Sequence, residues 1–220
     1  HDHPFFVFED GKRHKRPATD LEPGDWTYVP KQLSEPTTDG GIASDSGGRS
    51  ISSHNVQPSF GAVLGYLSGD GNVYYNRHEE SYGIRFINKE EELLQDFEQA
   101  CIDAFGKVPV RHPSEQRNDG VETVRLHGRE YADRVLDAGM NVETHDDKSF
   151  PTRVTTGTRR TKAAFIRAFA DSEGNVDSST GNVRMYSASG EILLGIKSLL
   201  LEFGISCQIR TRERSEKRDI

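Results

Sequence analysis

Ser68-Gly69-Asp70-Gly71-Asn72-Val73 returns 103 residues later as Asp171-Ser172-Glu173-Gly174-Asn175-Val176, with an acid, a glycine, an asparagine and a valine in the same order. The same offset lays Gly61, Gly65 and Gly69 over Ala164, Ala168 and Ser172. Small residues at i, i+4 and i+8 share one face of a helix. Beside that stripe stand Phe60, Val63, Leu64 and Leu67 in the first copy, and Phe165, Ile166 and Phe169 in the second. A glycine inside a helix costs about 1 kcal/mol against alanine. Several in one short helix require compensation, and the close approach of a partner helix supplies it. The spacing therefore predicts two helices that pack through their small stripes.

Asp70 and Glu173 fall at the C-terminal ends of these helices, where the helix dipole disfavours an anion by roughly 0.3–1 kcal/mol. If the helices run parallel, the two carboxylates also face each other. Like charges at close range raise a pKa or recruit a cation. Few protein carboxylates with hard oxygen ligands suit Mg²⁺, which keeps several of its waters.

Working outward, each copy sits in the same order of elements. From Ser59, read as an N-cap, a helix runs to about residue 70. A hairpin over 72–76 and 82–88 follows, then a helix over 89–105 with Leu93, Leu94, Phe97, Ala100, Cys101 and Ala104 at helical spacing. Strands at 108–112 and 121–126 flank the turn Asn118-Asp119-Gly120, and a helix over 129–138 ends at Gly139. The second copy gives a helix from Lys162 to Glu173, strands near 175–177 and 182–188, a helix over 191–203 and a strand over 205–211. It stops short of a last strand and helix. Residues 1–33 read as β, with the hairpin signal Asp10-Gly11 and a strand Trp26-Thr27-Tyr28-Val29 closed by Pro30. Residues 34–58, rich in Ser, Thr, Gly and Asp, read as a flexible linker.

The chain has 220 residues, with 28 Lys and Arg against 35 Asp and Glu, a net charge of −7. That balance argues against nucleic-acid binding through total charge and leaves a local basic face as the route. Lys148, Arg153, Arg159, Arg160, Lys162 and Arg167 form such a concentration, free of acids. A second lies at the C-terminus. No apolar run approaches the roughly 20 residues of a membrane span, and nothing resembles a signal peptide. The expectation is a cytoplasmic protein without a membrane partner. Cys101 and Cys207 stand alone on apolar patterns, as buried thiols of a reducing compartment do. No Cys or His spacing suggests zinc.

Val63-Leu64-Gly65-Tyr66-Leu67-Ser68-Gly69-Asp70-Gly71 and Ile166-Arg167-Ala168-Phe169-Ala170-Asp171-Ser172-Glu173-Gly174 resemble the two motifs of LAGLIDADG homing endonucleases. Arg167 departs from the small apolar residue usual at its position. The resemblance implies an α+β fold of two pseudo-symmetric αββαββα units, the second C-terminally incomplete: residues 59–147 and 148–220. It implies that Asp70 and Glu173 bind Mg²⁺ or another divalent cation such as Mn²⁺. Lys148-Ser149-Phe150-Pro151 resembles the context of the family's catalytic lysine, which implies Lys148. His1-Asp2-His3-Pro4-Phe5 and Ala18-Thr19-Asp20-Leu21-Glu22-Pro23-Gly24-Asp25 resemble pieces of an intein splicing (Hint) domain, which makes His3 the splicing-associated residue and a flanking host protein a partner. Without an N-terminal nucleophile before His3 and without a terminal His-Asn block, this chain is not expected to splice.

The implied activity is site-specific, metal-dependent double-strand cleavage of DNA at a long site by a monomer with internal pseudo-twofold symmetry. Strands lying in the major groove would read bases; Tyr75, Arg77, Arg85, Arg111 and Arg125 are the expected readers. Arg153, Arg159, Arg160 and Lys162 are the expected further DNA contacts, on phosphates. Two other classes stay open: an autoprocessing element, which His3 favours, and a DNA-binding module without nuclease activity.

Overall fold

A computed structural model describes residues 4–28, 31, 56–76, 81–113, 120–141 and 148–211. His3, Arg77 and nearly all of the expected linker lie outside the described residues.

The N-terminal segment is β, as its pattern predicts. β1 (Pro4–Glu9) pairs antiparallel with β2 (Lys12–Pro17). Asp10 and Gly11 both take positive φ, 48° and 73°, which suits the right-handed twist of a two-residue hairpin. Residues 26–28 add beside β1: Phe8 N–H donates to Trp26 O, Tyr28 N–H donates to Phe6 O, and Val7 is buried opposite Thr27.

α1 (Pro58–Ser68) is buried from Phe60 to Ser68, all round its circumference. A helix apolar on every side belongs to a protein interior. Ser59 is not its cap; Gln57 holds that place and Pro58 opens the helix. Proline suits the first turn, where an N–H would be unsatisfied and φ is already set. β3 (Gly71–Asn76) and β4 (Ser81–Asn88) form the hairpin, followed by α2 (Glu91–Phe105), β5 (Val110–Pro113), β6 (Glu122–His127) and α3 (Arg129–Leu136). The four strands make one antiparallel sheet in the order β3-β4-β6-β5.

The register decides which side chains share a face. Gly71, Phe86, Val124 and Arg111 lie in one row; Asn72, Arg85, Arg125 and Val110 lie in the next. Val73, Ile84, Phe86, Val124 and Leu126 are buried against the helices. Because side chains alternate along a strand, the Asn72–Arg85–Arg125 row points to the other face.

α4 (Arg159–Glu173) begins three residues earlier than its spacing predicts, because Thr158 caps it by accepting from Thr161 N–H. β7 (Gly174–Val176) and β8 (Val183–Met185) pair antiparallel, and α5 (Gly190–Glu202) starts at the N-cap Ser189. The strand expected over 205–211 does not form. Strand geometry needs a hydrogen-bonded neighbour, and among the described residues the second sheet has only two strands. Side chains from both units merge in one core, including Leu64, Leu67, Phe97 and Leu126 of the first and Phe165, Phe169, Ile192 and Leu199 of the second. Cys101 is fully buried, while Cys207 is only partly so.

Candidate active site and nucleic-acid interface

α1 and α4 pack in parallel along their small residues. A Cβ built on Gly61 would sit 2.6 Å from Thr161 O; on Gly65 it would overlap Phe165 O and lie 2.8 Å from Ala168 Cβ; on Gly69 it would overlap Ser172 Oγ and lie 2.9 Å from Glu173 Cγ. The contact line on α4 is therefore Thr161, Phe165, Ala168 and Ser172. Ala164, the counterpart of Gly61 by sequence offset, is not the residue it meets. Toward the N-terminal ends the contact departs from the repeat offset by three residues, and at the C-terminal ends, where Gly69 meets Ser172, it matches that offset.

Those ends carry the acids. Asp70 lies just past Gly69, the C-cap of α1, and Glu173 is the last residue of α4. Asp70 is fixed by the sheet: its carbonyl accepts from Ile87 N–H at 3.2 Å and its carboxylate from Asn88 Nδ2 at 2.9 Å. Burial, and then the neighbouring Asp70 charge, push the Glu173 carboxyl up to about 7, against the pull of Lys148. Each acid immediately precedes the first strand of its sheet, so both sheets start from the paired helix ends.

Lys148 lies beneath the pair. Its side chain is buried, and its ammonium donates to carbonyls at the end of α1 and in the turn into β3, those of Leu67 (3.1 Å), Gly69 and Gly71 (2.8 Å), with Ser68 O at 3.4 Å. It thus satisfies carbonyls that any helix end leaves without partners. Burial lowers its pKa, while Glu173 and Asp70 hold it up. Its segment is tied to α5: Ser189 Oγ donates to Lys148 O at 2.6 Å and accepts from Ile192 N–H, and Phe150 N–H donates to Glu191 Oε1 at 3.0 Å. The Phe150 ring lies across Gly195 and meets Phe165 edge-on at 5.6 Å. Asn88, Ser189 and Glu191 were not legible as site residues, since nothing local in their sequence points to the acids.

The expected DNA contacts divide sharply. Arg85 and Arg125 stand side by side on the outer face of the first sheet. Tyr74, His112, Thr123 and His127 share that face by register. Tyr75 does not: it has the parity of the buried Val73, and it stacks on Tyr82 at 4.2 Å. Arg111 is also on the helix side, in the row of Val124, and it is claimed there by Glu98 (2.5 Å), Glu91 (2.7 Å) and Glu122 (3.5 Å). Lys162 is buried and paired with Glu202 at 2.5 Å. Arg159 and Arg160 are exposed, but they open α4, about 20 Å from Glu173 at 1.5 Å per residue. Arg159 instead lies over the Phe203 ring. Arg153 is exposed in the turn Thr152–Thr156 ahead of α4. The structure brings none of these last four to the acids. Arg167 is half-exposed and bridges the two units, bonding Asp96 of α2 at 2.7 Å and Asp171 at 3.2 Å; Asp96 also accepts from Tyr66 OH at 2.6 Å.

Fold and site together define an α+β protein of two repeats, joined through a parallel helix pair that ends in acids and flanked by antiparallel sheets. The sequence profile of LAGLIDADG-like domains matches residues 57–138 and 160–220, and the chain belongs to that family. Its fold is similar to solved structures of the homing endonuclease I-DmoI. Mesophilic variants of that protein are 20% identical with a TM-score of 0.54, over 73% of this chain and 84% of that one. I-DmoI in complex with DNA and Mn is 19% identical with a TM-score of 0.53, over 73% and 85%. I-DmoI in complex with DNA and Ca is 19% identical with a TM-score of 0.53, over 73% and 79%. Identities this low establish the shared fold.

Proposed function

We propose that this chain is an intein-encoded homing endonuclease that makes metal-dependent double-strand breaks in DNA at a long site. The observation that carries the reading is the convergence of Asp70 and Glu173 at the parallel ends of α1 and α4, at the root of both sheets. The related I-DmoI structures contain DNA with Mn or Ca, which supports the same partners here. The β-rich segment over residues 4–28 fits the resemblance of the N-terminus to an intein splicing domain, with a host protein flanking it.

The acids suit a divalent cation. Among the described residues no group of three or more His, Cys, Asp or Glu side chains is placed to hold a metal ion. Two carboxylates face one ammonium, and burial together with the Asp70 charge holds the Glu173 carboxyl up at about 7. A donor set this sparse fits Mg²⁺ or Mn²⁺ with several waters and substrate phosphate oxygens. Held by Asp70 and Glu173, the ion would supply an activated water and offset charge on the phosphate.

The protein's own groups do the rest. Asn88 and the Ile87 N–H orient Asp70. Lys148 anchors the acid-bearing turn through its carbonyls and places a buried positive charge beside the developing phosphate charge. The outer face of the first sheet carries Arg85, Arg125, His112 and His127, and among the described residues no acid shares it; this face takes the major groove. Asp70→Asn and Glu173→Gln are each expected to abolish cleavage while leaving site-specific binding. Sequencing of new DNA ends from a pooled library in Mg²⁺ tests this. Wild-type cutting by either variant would overturn the assignment.

A further inference from the structure

Arg85 and Arg125 occupy opposed positions on β4 and β6, where like charges destabilise a sheet. Half-burial and the Arg125 charge depress the Arg85 guanidinium from its ordinary range. Among the described residues, no carboxylate offsets this pair. Arg85 is steered instead by a neutral acceptor: its Nε donates to Asn72 Oδ1 at 2.7 Å, and its guanidinium lies 5.8 Å from the Tyr74 ring centre. That bond uses Nε and leaves the two terminal nitrogens as a fork. Among the described residues Arg125 makes no hydrogen bond or ion pair, and its Nε is shielded from water without a partner. Buried donors are rarely left so. Elsewhere in this sheet the same residue type is fully neutralised: Arg111, on the other face, is held by three glutamates.

A partly desolvated guanidinium pair that no carboxylate among the described residues offsets is costly in the free protein, and acceptors that arrive with a ligand relieve it. Asn72, which aims Arg85, is two residues beyond Asp70, so the pair sits at the inner end of the sheet, next to the acids. We infer that Arg85 and Arg125 form one reading element for guanine, taking O6 and N7 acceptors in the major groove immediately beside the cleavage position, with Asn72 as its positioning residue. The inference rests on the DNA-cleaving reading above and adds which base is read, by which residues, and where. Guanine is the base whose major-groove edge offers two acceptors to such a fork.

The test separates readout from plain charge. Arg85→Lys and Arg125→Lys keep the positive charge but lose the planar fork. Wild type and both variants are taken through binding selection from a randomised duplex pool, and the wild-type cut is mapped on the enriched sequence. The expected wild-type motif holds guanine, on either strand, within the first few base pairs of the cut. Each lysine variant should lose about 5- to 150-fold of preference at one such position, with the other positions unchanged. Arg125→Met in the free protein should melt no lower than wild type, because it removes an uncompensated charge. A large fall in melting temperature would show Arg125 to be a structural residue and overturn the inference. An enriched motif whose guanine preference survives both lysine substitutions overturns it alone. No enriched motif with wild type overturns it together with the reading on which it rests.

Discussion

At the residue scale the acids and Lys148 are one electrostatic unit. Glu173 has its carboxyl pushed up to about 7 by burial and by Asp70, against an ordinary value near 4.5. Between those values the folded state binds a proton that the unfolded state has released. The associated stability is therefore present below about pH 4.5 and lost as pH rises through about 7. A cation that binds only the ionised pair acts in the opposite direction. Thermal melts with and without Mg²⁺ should show little metal stabilisation at pH 6 and a clear rise at pH 8, absent in Asp70→Asn. Equal metal stabilisation at both pH values would contradict this site. Lys148→Met should destabilise by about 1–3 kcal/mol, since it strands buried carbonyls and leaves two acids facing each other; chemical denaturation measures it. These acids were legible because the repeat printed them twice. Arg111 and Arg125 were not distinguishable, because the choice between helix side and outer side is one residue of strand parity. The Lys162–Glu202 pair spans 40 residues of sequence and has no local signature.

At the scale of elements, the α1–α4 contact is set by backbone proximity. Gly65→Ala raises helix propensity by about 1 kcal/mol, yet its Cβ would overlap the Phe165 carbonyl and press on Ala168. Neither of these can rotate away. Overpacking costs about 1–3 kcal/mol, so the variant should be less stable than wild type and cut more slowly, through displacement of Asp70 from Glu173. Gly190→Ala is the control. A Cβ there meets nothing within 4 Å at the start of α5, and it should be neutral or stabilising. If Gly65→Ala melts with or above wild type, the helices have room that the geometry denies them. The small-residue stripe announced this contact in the sequence. Its offset did not give every contact, because Gly61 meets Thr161 and not Ala164, while Gly69 meets its counterpart Ser172.

At the scale of the molecule, the proposed binding of DNA has to work against a net charge of −7. The answer lies in which cations are already neutralised. Arg111 faces three glutamates and Lys162 is buried on Glu202; neither has a charge to spare for phosphate. Arg85 and Arg125 share a face on which the described residues place no acid. Affinity for duplex DNA should fall steeply with salt, and the steepness counts the phosphates neutralised. Arg111→Gln should leave that slope unchanged while lowering stability, as three glutamates lose their common partner. Arg85 with Arg125 both changed to Gln should flatten the slope as well as removing base preference, because charge leaves the groove along with the reading fork. Binding titrations between about 50 and 200 mM salt, the range over which such contacts separate, distinguish the two variants. A flattened slope for Arg111→Gln would mean that its glutamate cage opens on DNA and that the helix-side face takes part in binding, which would place the groove on the wrong side of the sheet.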